Sequence, residues 1–291
     1  MAWVTRRLGA PTGTDVLPTI GTKEFVAWLP TLLGLGPADR VVIPELAYPT
    51  YDVGARLAGA QVLVADSLTA LGPARVSLLW LNSPSNPTGK VLPVDHMAKV
   101  VSWARERGVL VVSDECYYEL GWTEQPVSVL HPDVCGGDPT GVIALHSLSK
   151  RSNLAGYRFG FAAGDPGVIA ALLEVRKHAG MMVPGPVQAA AIAALGDDTH
   201  VVAQRALYRH RRELLIAALT QAGFRIDESA AGLYLWATRG EPCWDTVAWL
   251  ADRGILVAPG EFYGRAGAQH VRVALTATDE RVAAAAERLT T

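Results

Sequence analysis

Residues 142–161 read VIALHSLSKRSNLAGYRFGF, an apolar run that ends in Ser-Leu-Ser-Lys and continues into a polar loop. Such a run predicts a strand that is buried on both faces, with Lys150 at its carboxyl end. Open α/β sheets bind their ligands at that edge. The chain has only five lysines against 21 arginines. A generally lysine-rich composition therefore does not explain why Lys150 lies at the end of this run.

A partly desolvated amine that lies close to other cations can form a Schiff base with an aldehyde. Lys150 is therefore a candidate nucleophile. Taken alone, it could equally be an ordinary surface lysine in a loop.

Outward from this run, the first part of the chain alternates between strand and helix patterns. Seven short apolar runs, most of them rich in β-branched residues, occur at 16–20, 40–45, 61–66, 76–81, 109–114, 142–148 and 157–163. Segments with helical spacing separate several of them, at 23–35, 51–58 and 94–107. This alternation predicts a largely parallel, doubly wound α/β sheet.

The pattern changes after residue 164. Long helical stretches follow at 166–179 and 197–222, and then short runs at 232–237, 255–258 and 271–274 with helices at 244–252 and 279–289. These elements suit a small α+β unit. We expect a large domain over 1–180 and a small one over 181–291, reached through the helices at 166–222.

The composition excludes several classes of protein. The 291 residues carry a net charge of −2 with both signs dispersed, which argues against a nucleic-acid partner. No apolar run reaches the roughly 18 residues of a membrane span, and the first residues lack a secretory pattern. Three widely spaced cysteines predict neither disulfides nor a zinc site and fit a reducing cytoplasm.

Two polar residues follow other predicted strands. Asp114 closes VLVVSD, from where a carboxylate could keep a pyridine nitrogen protonated. Asn86 lies in the proline-bracketed loop NSPSNPTGK, from where an amide could reach a ring oxygen. Asp114 could instead be a helix cap.

A third group suits a phosphate. Arg158 and Ser147, at +8 and −3 from Lys150, offer a guanidinium and a hydroxyl. Gly21-Thr22-Lys23 lies between a strand and a helix, where backbone N–H groups can cradle an anion. A salt bridge for Arg158 and a plain turn at Gly21 are the alternatives, but five such candidates at strand ends are improbable by chance.

Five motifs together resemble the signature of the class I/II pyridoxal-phosphate aminotransferases of fold type I. They are NPTG at 86–89, SDECYY at 113–118, SLSK at 147–150, GYRFGF at 156–161 and HVRVAL at 270–275. The resemblance covers nearly the whole chain from about residue 16. It implies a seven-stranded, mostly parallel sheet between helices, with a smaller α+β C-terminal domain, and pyridoxal 5′-phosphate as cofactor.

The resemblance also implies roles for individual residues. Lys150, Asp114 and Tyr117 would be catalytic, with Lys150 bonded to the cofactor aldehyde and moving the substrate Cα proton. Asp114 would pair with the ring nitrogen, Asn86 and Tyr117 would bind the phenolic oxygen, and Tyr48 would stack on the ring. Tyr48 and Tyr117 could also be plain packing residues.

The phosphate would be held by Gly21, Thr22, Lys23, Ser147 and Arg158. Arg272, with Asn86 beside it, would bind the substrate α-carboxylate through its planar fork. The family likeness further implies a homodimer, with amino-acid and 2-oxo-acid substrates such as glutamate and 2-oxoglutarate, and no metal.

Within the family, four stretches resemble the succinyldiaminopimelate aminotransferases of bacterial lysine biosynthesis. They are IGTKEFVAWLPTLLGLG, PELAYPTYDVGARLAGA, RKHAGMMVPGPVQAA and HVRVALTATDERV. Another amino-acid aminotransferase or a C–S β-lyase of the same fold is the alternative, and a non-catalytic protein that keeps the fold is a third. A Rossmann nucleotide binder is disfavoured because no GxGxxG follows the first strand.

Two further expectations concern the chain start and the substrate. Twenty residues precede Gly21, and AWVTRRLGA resembles the end of a helix that leads into the first strand. We therefore expect a shortened N-terminus that weakens cofactor binding. For a distal substrate carboxylate, Arg176 and Lys177 are the candidate cations.

Overall fold

The computed structural model describes residues 1–73 and 75–290. Its larger sheet has seven strands in the order β1-β7-β6-β5-β4-β2-β3. These strands are β1 (Asp15–Thr19), β2 (Arg40–Ile43), β3 (Gln61–Val64), β4 (Leu78–Asn82), β5 (Leu110–Asp114), β6 (Val142–Ser147) and β7 (Gly160–Gly164). Only β7 runs antiparallel to its neighbours, which are β1 and β6. The predicted seven-stranded, mostly parallel sheet is confirmed.

Helices cover both faces of this sheet. They are α1 (Ala2–Leu8), α2 (Gly21–Leu32), α3 (Thr50–Leu57), α4 (Val94–Arg105), α5 (Pro132–Cys135), α6 (Leu148–Arg151), α7 (Pro166–His178) and α8 (Gly185–Gly196). The apolar sides of α2, α3 and α7 form one core with the sheet. Those of α1, α4, α5 and α8 form another. With cores on both sides, β4, β6 and β7 are buried along their whole length, so they appear in the sequence as continuous apolar runs rather than alternating ones.

The second sheet has four strands in the order β10-β11-β9-β8. They are β8 (Arg225–Asp227), β9 (Tyr234–Thr238), β10 (Ala258–Pro259) and β11 (Val271–Ala274), accompanied by α9 (Thr199–Gln221), α10 (Cys243–Ala251) and α11 (Asp279–Thr290). These helices and strands share a third apolar core. The predicted run at 255–258 yields only the two-residue β10.

Four of the helices and strands named above were not predicted: the four-residue helices α5 and α6, the helix α8 and the strand β8. In α8 the apolar residues GPVQAAAIAALG surround the helix axis instead of forming a stripe, so no helical period is visible. β8 has three residues, all exposed or half-buried, and lacks an apolar signature.

The helices α8 and α9 pack in different apolar cores. Ala191 of α8 packs in the core of the large sheet, whereas Tyr208 and Leu215 of α9 pack in the core of the small one. The predicted domain division after residue 180 stays a prediction.

Some global properties follow from the described residues. Over 1–73 and 75–290, no helix combines the length and apolar character that a membrane span requires. Within the same ranges, no group of three or more His, Cys, Asp or Glu side chains could hold a metal ion. Cys116, Cys135 and Cys243 are free.

Candidate active site

A cavity of about 320 Å³ opens where β4, β5 and β6 end and α2 begins. Parallel neighbours end at the same edge of a sheet, so residues far apart in sequence meet there. Ten of the eleven predicted site residues line the cavity: Thr22, Lys23, Tyr48, Asn86, Asp114, Tyr117, Ser147, Lys150, Arg158 and Arg272. The eleventh, Gly21, lies against the Arg158 guanidinium. The chemical roles of these residues stay predictions.

Lys150 lies in the short helix α6, directly after β6. Its side chain is half-buried and lines both this cavity and a neighbouring one of about 510 Å³. An amine in this position can reach a ligand in the first cavity.

Asp114 is the last residue of β5 and is 7% exposed. Its Oδ2 accepts a hydrogen bond of 2.9 Å from the Tyr51 hydroxyl, and its Oδ1 accepts one of 3.2 Å from the Cys116 backbone N–H. Burial raises the pKa of this carboxyl above its ordinary value, while the two hydrogen bonds act in the opposite direction. A cationic group beside Asp114 would therefore stabilise the charged carboxylate.

Tyr51 was missed by the sequence prediction. It is completely buried in the first turn of α3, and its ring stacks on Trp80 with 4.8 Å between centroids. Burial and the neighbouring Asp114 raise the pKa of the Tyr51 phenol well above its usual range. The available signal was its helical spacing from Tyr48, whose ring it meets edge-on at 5.8 Å.

Cys116 was also missed. Its Sγ lies 3.2 Å from Oγ1 of Thr22 in the cavity wall. Burial raises the pKa of this thiol well above its usual range, with Asp114 acting in the same direction, so the thiol stays protonated. Nothing in the motif SDECYY singled out this position.

One corner of the cavity has features that favour an anion. Gly21 has φ 69° and is the first residue of α2, so the helix N-terminus opens there. A Cβ atom on Gly21 would overlap the Arg158 guanidinium. Arg158 is itself left-handed at φ 53°, and its Nη1 donates to the Ala155 carbonyl at 2.9 Å. Because Gly21 has no Cβ, the Arg158 guanidinium can lie against the N-terminus of α2.

Arg272 reaches the cavity from β11 in the small sheet. Its Nη1 donates to Oδ1 of Asn86 at 2.8 Å. The guanidinium lies between two aromatic rings, 3.8 Å from the Tyr234 centroid and 5.0 Å from that of Tyr263. Its Nε is buried and has no hydrogen-bond partner among the described residues. The single hydrogen bond from Nη1 to Asn86 leaves the other N–H groups of the fork without an acceptor among the described residues.

Asn82, at the end of β4, holds the loop that carries Asn86. Its Oδ1 accepts from the Asn86 backbone N–H at 2.8 Å. Its Nδ2 donates to the carbonyl oxygens of Asp114 and Pro84 at 2.9 and 3.2 Å. The buried amide therefore fixes the position of Asn86 relative to Asp114.

The two suggested cations for a distal carboxylate do not fit. Arg176 is 1% exposed and forms two hydrogen bonds to Glu24, of 2.8 and 2.9 Å. Lys177 pairs with Glu174 on the outside of α7. Neither side chain lines the cavity, and the suggestion is wrong because Arg176 is already neutralised by Glu24.

The family follows from a comparison with known proteins. The family model for aminotransferase class I and II matches residues 7–289. This chain is a class I and II aminotransferase.

Three known proteins are similar to this aminotransferase over nearly its whole length. It is 70% identical over 292 residues to a probable aminotransferase of Mycobacterium tuberculosis, across 100% of this chain and 70% of that protein. It is 60% identical over 290 residues to the 4-dedimethylamino-4-oxo-anhydrotetracycline transaminase OxyQ of Streptomyces rimosus, across 99% of this chain and 81% of that protein. It is 34% identical over 304 residues to an LL-diaminopimelate aminotransferase of Dehalococcoides mccartyi, across 96% of this chain and 76% of that protein.

Solved structures share the fold. An aminotransferase from Staphylococcus aureus superposes with a TM-score of 0.89 at 26% identity, over 99% of this chain and 80% of that one. The N-succinyldiaminopimelate aminotransferase of Mycobacterium tuberculosis superposes with a TM-score of 0.88 at 27% identity, over 99% of this chain and 81% of that one. The fold type I architecture expected from the motifs is confirmed.

Aminotransferases of this family depend on pyridoxal 5′-phosphate, and the residues of the cavity fit that group. The helix N-terminus at Gly21 with Arg158 suits the phosphate. The buried carboxylate of Asp114 suits a protonated ring nitrogen, and Lys150 supplies an amine for the aldehyde. The Arg272 guanidinium, which lines the cavity, suits a substrate carboxylate.

Proposed function

We propose that this aminotransferase exchanges an amino group between N-succinyl-LL-2,6-diaminopimelate and 2-oxoglutarate, in lysine biosynthesis. The observation that carries the proposal is the Arg272 guanidinium in the cavity wall, which lies between two rings and makes one hydrogen bond to a described residue, Asn86. Such a fork suits the α-carboxylate that both substrates bear. The diaminopimelate substrates of a relative and of a structural neighbour support the choice.

Bound pyridoxal phosphate supplies an electron-withdrawing ring that makes the Cα–H bond of an attached amino acid acidic. The protein supplies the positions. Arg272 binds the α-carboxylate, which places Cα near Lys150. The Lys150 amine would take the proton from Cα and pass it to the cofactor carbon that is bonded to the substrate nitrogen, which allows the oxo acid to leave. In the second half of the exchange Lys150 would move a proton the opposite way, from that carbon to Cα of the new amino acid.

The remaining polar residues hold the ring. The Asp114 carboxylate keeps a proton on the ring nitrogen, and Tyr51 fixes the orientation of that carboxylate. Asn86 and Tyr117 bind the phenolic oxygen, while Tyr48 covers one ring face. The phosphate is held by Gly21, Thr22, Lys23, Ser147 and Arg158.

Further parts of the proposal concern the whole molecule. We infer a homodimer in the cytoplasm, with a large cofactor-binding domain over 1–180 and a small domain over 181–291. The family likeness and the distribution of strands between two sheets support this division.

The activity test uses the purified holoenzyme with L-glutamate as donor and a panel of oxo-acid acceptors. The proposal predicts the highest kcat/KM with the 2-oxo analogue of N-succinyl-diaminopimelate. A preference for unsubstituted LL-diaminopimelate, aspartate, alanine or an aromatic amino acid would assign a different aminotransferase. Release of pyruvate and ammonia without an acceptor would indicate a β-lyase, and no turnover with any pair would indicate a non-catalytic protein.

A matched variant tests the carboxylate site itself. Arg272→Lys keeps the charge and loses the fork. A charge-assisted hydrogen bond contributes about 1.5–3 kcal/mol, so KM for carboxylate-bearing substrates should rise about 10- to 100-fold. An unchanged KM would remove Arg272 from this role.

The 60% identity to OxyQ favours a second candidate function, amination of a ketone on a polycyclic ring. That relative's named substrate carries its oxo group at ring position 4. Adding an oxo-anhydrotetracycline to the panel separates the two functions. Arg272→Lys should then impair the glutamate half of the exchange more than the ketone half.

A further inference from the structure

Tyr234 touches two of the proposed site residues at once. It begins β9, and in the ladder with β11 Tyr234 lies opposite Ala274 while Trp236 lies opposite Arg272. Side chains two apart on a strand point to the same face. Tyr234 and Arg272 are therefore diagonal neighbours on one face, with the guanidinium carbon 3.8 Å from the ring centroid.

The Tyr234 hydroxyl makes the second contact. It lies 3.2 Å from the hydroxyl of Tyr117, and the two rings meet edge-on at 5.8 Å. Tyr117 follows β5 in the large sheet and is 6% exposed. One side chain of the small sheet thus contacts both the carboxylate-binding arginine and a phenol beside the cofactor position.

We propose that Tyr234 is a positioning residue: its ring holds the Arg272 guanidinium, and its hydroxyl donates to Tyr117 so that the Tyr117 proton is free for the cofactor. The proposal deepens the proposed function and rests on the roles given there to Arg272 and Tyr117.

Counting protons fixes the direction of the bond. A phenol has one O–H to donate and lone pairs that accept. If Tyr117 donates its proton to the phenolic oxygen of the cofactor, it can only accept from Tyr234. The Tyr234 hydroxyl is then the donor, and accepting that bond polarises the Tyr117 O–H and strengthens its own donation.

This arrangement has a spectroscopic consequence. A hydrogen bond to the phenolic oxygen stabilises negative charge there, and it weakens the attraction of that oxygen for the proton on the nitrogen joined to Lys150. Loss of the Tyr234 hydroxyl should therefore raise the pH midpoint at which the absorbance of the bound cofactor changes. The size should be about half a pH unit, since the hydroxyl acts through Tyr117.

The experiment compares Tyr234→Phe, which loses the hydroxyl, with Tyr234→Leu, which also loses the ring. For each purified holoenzyme, the absorbance of the cofactor is titrated against pH without substrate, and kcat and KM are measured with L-glutamate. Tyr118→Phe is the control. It removes another tyrosine hydroxyl, which donates to the Arg7 carbonyl at 2.9 Å on a side chain that does not line the cavity.

Tyr234→Phe should raise the titration midpoint and lower kcat while KM stays within about twofold of the parent, because a phenyl ring still faces Arg272. Tyr234→Leu should in addition raise KM about tenfold through the lost cation–π contact. Tyr118→Phe should match the parent in all three.

An unchanged midpoint in Tyr234→Phe would overturn the proposal, as would a KM that rises as much in Tyr234→Phe as in Tyr234→Leu. Because the midpoint is measured without substrate, a wrong substrate assignment leaves it untouched. If Tyr234→Leu does not fold, the midpoint and KM of Tyr234→Phe decide alone.

Discussion

Nη1 of Arg272 lies 2.8 Å from Oδ1 of Asn86, which joins the small sheet to the loop after β4 of the large one. The two residues are 186 positions apart in the chain. Their contact orients the guanidinium before any substrate arrives, and this reduces the ordering that binding requires. The arrangement of the two sheets, rather than either sheet alone, creates the proposed carboxylate site.

Lys150→Ala should abolish covalent attachment of pyridoxal phosphate, because of the two described lysines in the cavity wall, Lys23 and Lys150, only Lys150 comes directly after a central strand, β6. The check is borohydride reduction of the loaded wild-type protein, followed by peptide mapping by mass. The label should lie on the peptide with Lys150. A label on Lys23 or Lys177 would contradict the assignment.

Asp114→Asn should reduce turnover much more than cofactor affinity. Removing one partner of a buried charge pair costs about 3 kcal/mol, which corresponds to roughly a hundredfold in rate, while the phosphate contacts remain. Equal losses in binding and turnover would count against the role.

The same variant should change how the stability of the cofactor-free protein depends on pH. Burial raises the pKa of Asp114 above the ordinary 3.8. The folded protein therefore holds this proton to higher pH than the unfolded chain, and stability falls as pH rises from about 3.8 through the raised pKa. Asp114→Asn removes that fall, so its melting temperature relative to the parent should be higher at pH 7 than at pH 4. A constant difference across this range would show that Asp114 is not penalised by burial.

Gly21→Ala should weaken cofactor binding about tenfold because the new Cβ displaces the Arg158 guanidinium from the anion corner. Gly108→Ala is the matched control. Gly108 has φ 65° against 69° for Gly21, but a Cβ there meets nothing within 4 Å.

Both glycine variants should lose about 1 kcal/mol of folding free energy from the left-handed backbone. Titration of the cofactor-free proteins with pyridoxal phosphate should separate them. Equal dissociation constants for the two variants would show that a Cβ at position 21 does not displace Arg158.

Arg176→Met should destabilise the protein by about 3 kcal/mol, because it leaves the Glu24 carboxylate unpaired in the first turn of α2. Adding Glu24→Gln should recover part of the loss. Lys177→Met is the neighbouring control, since its partner Glu174 is exposed, and it should change stability by less than about 0.5 kcal/mol. Urea denaturation measures all four proteins, and similar losses in the two single variants at 176 and 177 would refute a buried ion pair.

The sequence predicted the large sheet and the residues at its edge for one physical reason. Strands buried on both faces are visible as apolar runs, and the carboxyl ends of parallel strands must meet. Lys150 and Asp114 are the last polar positions of such runs, so the chain alone brought them together. Arg272 came only from the family resemblance, because nothing in its own stretch indicates which cavity it reaches.

The residues that sequence reasoning missed depend on packing between elements. Tyr51 and Tyr234 are aromatic side chains on regular elements, and such residues are most often core residues. Their importance comes from hydroxyls 2.9 Å from Asp114 and 3.2 Å from Tyr117. Similarly, Arg176 could not be distinguished from Lys177 until Glu24 was found opposite it.

We propose that this protein transfers an amino group from N-succinyl-LL-2,6-diaminopimelate. The most direct measurement is a single half-exchange, in which the loaded protein is mixed with this amino acid and no acceptor. We expect one equivalent of the 2-oxo product per active site, detected by mass, with matching conversion of the cofactor to its amine form and no ammonia. Absence of the 2-oxo product with this donor, while L-glutamate still converts the cofactor, would contradict the claim.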